Sequence, residues 1–202
     1  MATDFRQLTQ LARALGLSYQ QLLARYHARQ GPGAPYSGAI AWARLELRRV
    51  AAARAQQALR TGFADSQVRH RDWAPHAFSL GAGVLARLAA RAEADRAVLP
   101  RICPGHYLDA ALRTAPRHLP RQLAHMRGFL PADGAEARRN QRITLSIGAE
   151  SRTMLSTLRI TLAAGQLPSS QPAVVSGLAA HFLSQLPGHS PHEASSGNTT
   201  GD

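Results

Sequence analysis

The 202-residue chain has no lysine: all 24 of its basic residues are arginine. An arginine- and alanine-rich chain of this kind matches the product of a GC-rich genome. That bias does not account for the two-fold excess over 12 acidic residues, which leaves a formal net charge of +12. Arginine is also the side chain best suited to phosphate and guanine recognition. The single cysteine, Cys103, excludes an intramolecular disulfide framework and a multi-cysteine zinc site. Aromatic residues make up only 5%, so a core must be built mostly from Leu, Ala and Val. At 45% hydrophobic and 18% charged, the chain has enough apolar residues for one, which excludes wholesale disorder. There is no long apolar run. The stretch 160–192 lacks formal charge, but Gly165, Pro168 and Pro172 break it into pieces too short to span a bilayer. The first residues carry Asp4, Arg6 and Arg13 and no apolar signal region, so a soluble cytoplasmic protein is expected.

The first 130 residues read as an Arg-rich α-helical domain punctuated by Gly and Pro. Apolar residues at helical spacing predict helices over 4–15, 18–30, 37–60 and 80–98. Arg44 and Arg48, and again Arg87 and Arg91, lie one turn apart on shared faces. Pro100, Pro104, Pro116, Pro120 and Pro131 then divide the chain into short pieces. A linker is expected over 131–140 and a disordered tail over 188–202, which is rich in Ser, Gly, Pro, His and Thr. No internal repeat is apparent.

The pattern changes at Arg142-Ile143-Thr144-Leu145-Ser146-Ile147-Gly148. Strict alternation puts Ile143, Leu145 and Ile147 on one face and Arg142, Thr144 and Ser146 on the other, the signature of a strand. A helix is expected from about Ala149 to Ala164, stopped by Gly165. Ser169 or Ser170 can then cap a second helix, with Pro172 tolerated in its first turn. A lone strand is not stable in water. Nothing else in the chain reads clearly as a strand, so the simplest partner is the same strand of a second copy, antiparallel by two-fold symmetry.

This strand-helix-helix order over about 140–186 resembles the ribbon-helix-helix (MetJ/Arc) superfamily of DNA-binding proteins. The resemblance implies a mainly α fold: an N-terminal helical domain and a C-terminal module, 141–187, whose single strand pairs across a homodimer. It also implies double-stranded DNA as partner, with Arg142, Thr144 and Ser146 facing base edges. Ile143, Leu145 and Ile147 would form the dimer core. Ser169 and Ser170 would meet a phosphate at the start of the second helix, where free N–H groups favour an anion. Family members with extra domains act as repressors or as accessory factors in partition and conjugation. The same roles, on a plasmid or integrated mobile element, are expected here.

Residues 1–139 hold all of the net positive charge. Phosphate contacts are therefore expected from Arg44, Arg48, Arg87 and Arg91 as well. Gln10 to Leu22 resembles a helix-turn-helix, but Arg25 sits where another core residue is wanted, so an ordinary helical hairpin is the better reading. Cys103 and His106 lack a second ligand pair at metal spacing. Gly81-Ala82-Gly83 has neither a P-loop lysine nor a preceding strand, so it reads as loop or helix packing. No nucleophile elbow or oxyanion motif occurs, so neither enzyme activity nor a cofactor or metal is expected. The alternative function is a non-catalytic helical protein whose Arg-rich N-terminal face binds an acidic partner.

Overall fold

The computed structural model describes residues 2–68, 72–115, 140–165 and 169–188. These are mainly helical, with one two-stranded antiparallel sheet. The order is α1 (Ala2–Ala14), α2 (Tyr19–Gln30), α3 (Tyr36–Val68), β1 (Ala74–Gly81), α4 (Ala82–Asp95), α5 (Pro104–Arg113), β2 (Asn140–Ile147), α6 (Ala149–Ala163) and α7 (Gln171–Gln185). Of the expected linker over 131–140 and tail over 188–202, residues 131–139 and 189–202 lie outside the described residues, and Asn140 begins β2. No described helix is long and apolar enough to cross a membrane.

The chain divides into two compact units, 1–54 and 55–202. In the first, α1 and α2 form the expected hairpin. Gly16 turns the chain at φ +71°, and Ser18 and Gln21 cap α2 reciprocally. Leu8, Ala12, Leu22, Tyr26, Ala39 and Ala43 form its core. Tyr26 donates to the carbonyl of Pro35 at 2.9 Å. Gly38 lets the Tyr26 hydroxyl come close; a Cβ there would push that hydroxyl aside.

The second unit corrects the expectation of a single strand that pairs across a homodimer. β2 pairs in antiparallel register with β1 of the same chain, from Ala74↔Ile147 to Gly81↔Asn140. Residues 80 and 81, expected to begin a helix, complete this strand instead. β1 alternates too: Phe78 and Leu80 are buried, His76 is half-buried, and Pro75 and Ala77 are exposed. Proline is admitted because both strands of a two-stranded ribbon are edges. The segment 74–113, expected within the N-terminal domain, packs against the C-terminal elements as β1, α4 and α5.

β1-α4-α5 and β2-α6-α7 have the same spacing. The N-caps Gly81 and Gly148 are 67 positions apart, and so are the N-caps Cys103 and Ser170. The register obeys the same offset, because Ala77 pairs with Thr144, its own counterpart 67 positions on. A local two-fold axis therefore passes through the middle of the ribbon, relating two β-α-α halves within one chain.

The axis is also visible in hydrogen bonds between the halves. The Gly148 amide donates to Oδ1 of Asp109 on α5 at 2.8 Å, and the Gly81 amide donates to Oγ of Ser176 on α7 at 3.1 Å. Asp109 and Ser176 are again 67 apart. Each second helix thus holds the strand-to-helix junction of the opposite half, where the first amides of a helix lack internal partners. Asp109 is fully buried and also accepts from Arg113 Nε at 2.7 Å; Arg113 reaches Asp65 at 2.9 Å. α5 and α7 pack on each other and bury nearly all their faces, as apolar helices do at the centre of a core. Phe78, Leu80, Leu145 and Ile147 cover them from the ribbon, and Leu88, Leu155 and Leu158 from α4 and α6.

His106 lies at the edge of this core. Its Nε2 is 2.9 Å from the Ser66 hydroxyl, its Nδ1 accepts from the Cys103 amide at 3.0 Å, and Phe63 and Trp73 flank the ring. Burial pulls its pKa below the usual 6.5, and burial does the same to His181 on α7.

Two outcomes are expected in chemical denaturation. Asp109→Ala leaves the buried Gly148 amide without its acceptor and takes from Arg113 its buried partner, leaving it Asp65 and Glu150; it should cost about 3 kcal/mol. Ser176→Ala removes only a neutral acceptor and should cost about 1–3 kcal/mol. The histidines give a pH signature. The unfolded chain binds protons that folded His106 and His181 refuse, so their contribution is complete above pH 6.5 and is lost as pH falls through the lower folded values. Denaturation midpoints followed from pH 7.5 to 5 should fall, and His106→Gln should flatten the fall.

Candidate nucleic-acid interface

The ribbon has two unlike faces. Period 2 sends Ile143, Leu145 and Ile147 inward; Leu145 and Ile147 are buried and Ile143 is half-buried. They form the core expected of a dimer interface, but within one chain. Arg142, Thr144 and Ser146 all point outward and are exposed. β1 contributes Pro75, Ala77 and Ser79 to the same outer face. The cross-strand pairs are Ser79↔Arg142, Ala77↔Thr144 and Pro75↔Ser146. Three pairs at about 6.6 Å along each strand give a surface about 13 Å long. A two-stranded ribbon fits the B-DNA major groove, which is about 12 Å wide. Among the described residues, no hydrogen bond or ion pair engages the Arg142 guanidinium.

The start of α7 stands beside one end of this face. A cavity of about 560 Å³ opens there, lined by Ala77, Ser79, Arg142, Thr144, Gln171 and Pro172 among others. Ser170 caps the helix, its hydroxyl accepting from the Ala173 amide at 3.4 Å. Ser169 precedes it and is half-buried. At the ribbon's other end α5 starts in tighter contact. A Cβ on Gly105 would meet the Ser146 carbonyl at 2.6 Å, so glycine is required.

The four arginines expected at phosphates are placed differently from one another. Arg44 and Arg48 are exposed on α3, within the first unit. Arg87 on α4 is exposed and donates to the Ala180 carbonyl at 3.3 Å. Arg91 has only 13% of its side chain exposed; it pairs with Asp95 at 2.8 Å and donates to the Pro187 carbonyl at 2.9 Å. Arg87 thus ties α4 to α7, and Arg91 ties it to the residues just after α7.

Sequence reasoning missed the β1 half of the face. The available signal was His76, Phe78 and Leu80 ending at Gly81, which repeats Ile143, Leu145 and Ile147 ending at Gly148. Cys103 and His106, weighed as metal ligands, cap α5: the sulfur stands 3.2 Å from Nδ1, and the imidazole accepts the Cys103 amide. Among the described residues no group of three His, Cys, Asp or Glu is placed to hold a metal. Comparison of the chain with family models, curated proteins and solved structures finds no match.

Proposed function

We propose that this protein is a sequence-specific binder of double-stranded DNA that reads the major groove with the outer face of its ribbon. The reading carries the ribbon-helix-helix resemblance over to a ribbon made within one chain. Its role would be that of a transcriptional repressor or a DNA-bound accessory factor of a mobile element. The observation that carries it is the exposed row Arg142, Thr144 and Ser146 on a ribbon whose reverse side is packed on helices. Arginine donates two parallel hydrogen bonds to guanine, and threonine and serine donate or accept, with the threonine methyl available to thymine. A rigid support matters because base discrimination depends on placing these groups accurately. Ser169 and Ser170, at the start of α7 beside the face, suit a phosphate. A second copy of the chain is not required to complete the ribbon, so a homodimer is no longer part of the argument.

A second reading is favoured by the exposed pair Arg44 and Arg48 on the first unit. They suit an acidic partner as well as a phosphate backbone.

Binding of the full chain to duplex DNA tests both. Arg142→Ala should weaken the preferred duplex by about 1–3 kcal/mol and random duplex much less. Reversing Arg44 and Arg48 should weaken all duplexes alike and lower the salt dependence. Unchanged preference and affinity in a folded Arg142→Ala protein would remove the ribbon as reader. DNA-free capture of an acidic partner that is lost on reversing Arg44 and Arg48 would support the second reading.

A further inference from the structure

We propose that a single chain recognises a non-palindromic DNA site, with its base-specific contacts concentrated on one side of the ribbon's internal two-fold axis. This rests on the reading of the ribbon as a DNA reader. A ribbon built from two copies must present the same side chains in both halves, so symmetry obliges its site to repeat as an inverted copy. Here the two strands share a backbone arrangement without sharing residues. The counterparts across the axis are Pro75 and Arg142, Ala77 and Thr144, and Ser79 and Ser146, each 67 positions apart.

The antiparallel register sorts these six residues into unequal ends. One end pairs Ser79 with Arg142, and the other pairs Pro75 with Ser146. The first end offers a guanidinium with five donors and a hydroxyl. The second offers one hydroxyl and a proline ring with no hydrogen-bonding side chain. At the centre Thr144 supplies a hydroxyl and a methyl opposite the single methyl of Ala77. The recognising capacity therefore falls off from the Arg142 end to the Pro75 end.

The flanking helices differ in the same sense. Beside Arg142 the ribbon and α7 leave the 560 Å³ cavity, with Gln171 on its wall. Beside Ser146, Gly105 of α5 closes directly on the strand carbonyl. Access for a nucleotide backbone is thus unequal at the two ends, and the open end coincides with the arginine.

The test is selection from a randomised duplex pool with the full chain, followed by mass measurement of the complex on the selected duplex. The expected result is a motif without inverted symmetry, bound by one chain, with its strongest position a G·C pair at one edge. Arg142→Ala should lower the preference at that edge by about fivefold to 150-fold and leave the rest of the motif. The double substitution Pro75→Arg, Ala77→Thr makes the two outward triplets alike, both at exposed positions. It should convert the selected motif toward an inverted repeat. A palindromic motif bound by two wild-type chains would overturn the inference and leave DNA reading by the ribbon intact. No enrichment over random duplex, or an asymmetric motif unmoved by Arg142→Ala, would overturn the reading on which the inference rests.

Discussion

The second unit is organised by one requirement: the backbone of β2 must find a hydrogen-bonding partner. A strand of alternating Ile and Leu buries one face on helices, but its amides and carbonyls still need an edge to pair with. β1 of the same chain supplies that edge. Once the two strands run antiparallel about Ala77 and Thr144, the helices that follow them start from opposite ends of the ribbon. Their second helices are brought together in the middle. The placing of Asp109 under Gly148 and of Ser176 under Gly81 follows from the same geometry. The strand pair thus sets both the inward core and the outward face.

The two halves show how far residues can diverge while an arrangement holds. The capping position is a buried carboxylate in one half and a hydroxyl in the other. The carboxylate brings its own charge partner, Arg113, which in turn reaches Asp65 near the end of α3. A charge buried without such a partner costs far more than a buried hydroxyl, so the two solutions need different surroundings. Tyr107 on α5 stands where α7 has Val174, and its hydroxyl needs a partner that valine does not. Asp95, at the end of α4, accepts it at 2.6 Å. The side chains in the core compensate locally, and only the backbone spacing is kept.

The parts of this fold visible in the sequence are those whose local pattern is strong. β2, α6 and α7 follow from strict alternation, an apolar helical stripe, Gly165 and the Ser170 cap. The inward and outward faces of β2 follow from period 2 alone. β1 was hidden because small or imino residues fill its outward positions, Pro75, Ala77 and Ser79, and weaken the contrast that alternation needs. Its end also runs into Ala82 and the strong helix-forming residues of α4, which drew residues 80 and 81 into a helix. α5 was hidden by Pro100 and Pro104, taken as breaks, although Pro104 occupies the first turn, where its missing amide costs nothing. Asp109 has no local signature at all. Its importance comes from the Gly148 amide, far along the chain, and from Arg113, both of which its carboxylate accepts.

Placing both strands in one polypeptide also sets a timetable. β1 is made before β2, separated from it by everything between Gly81 and Asn140, α4 and α5 included. At ordinary synthesis speeds that interval is on the order of seconds, far longer than a helix or hairpin takes to form. During it, β1 has a bare edge and α5 has an uncovered apolar surface, the features that invite pairing with a neighbouring nascent chain. The exposed Pro75 at the start of that waiting strand lowers the risk, because a strand edge that carries proline is a poorer template for another strand. A residue with little to offer DNA thus has a use in the life of the chain before its ribbon exists.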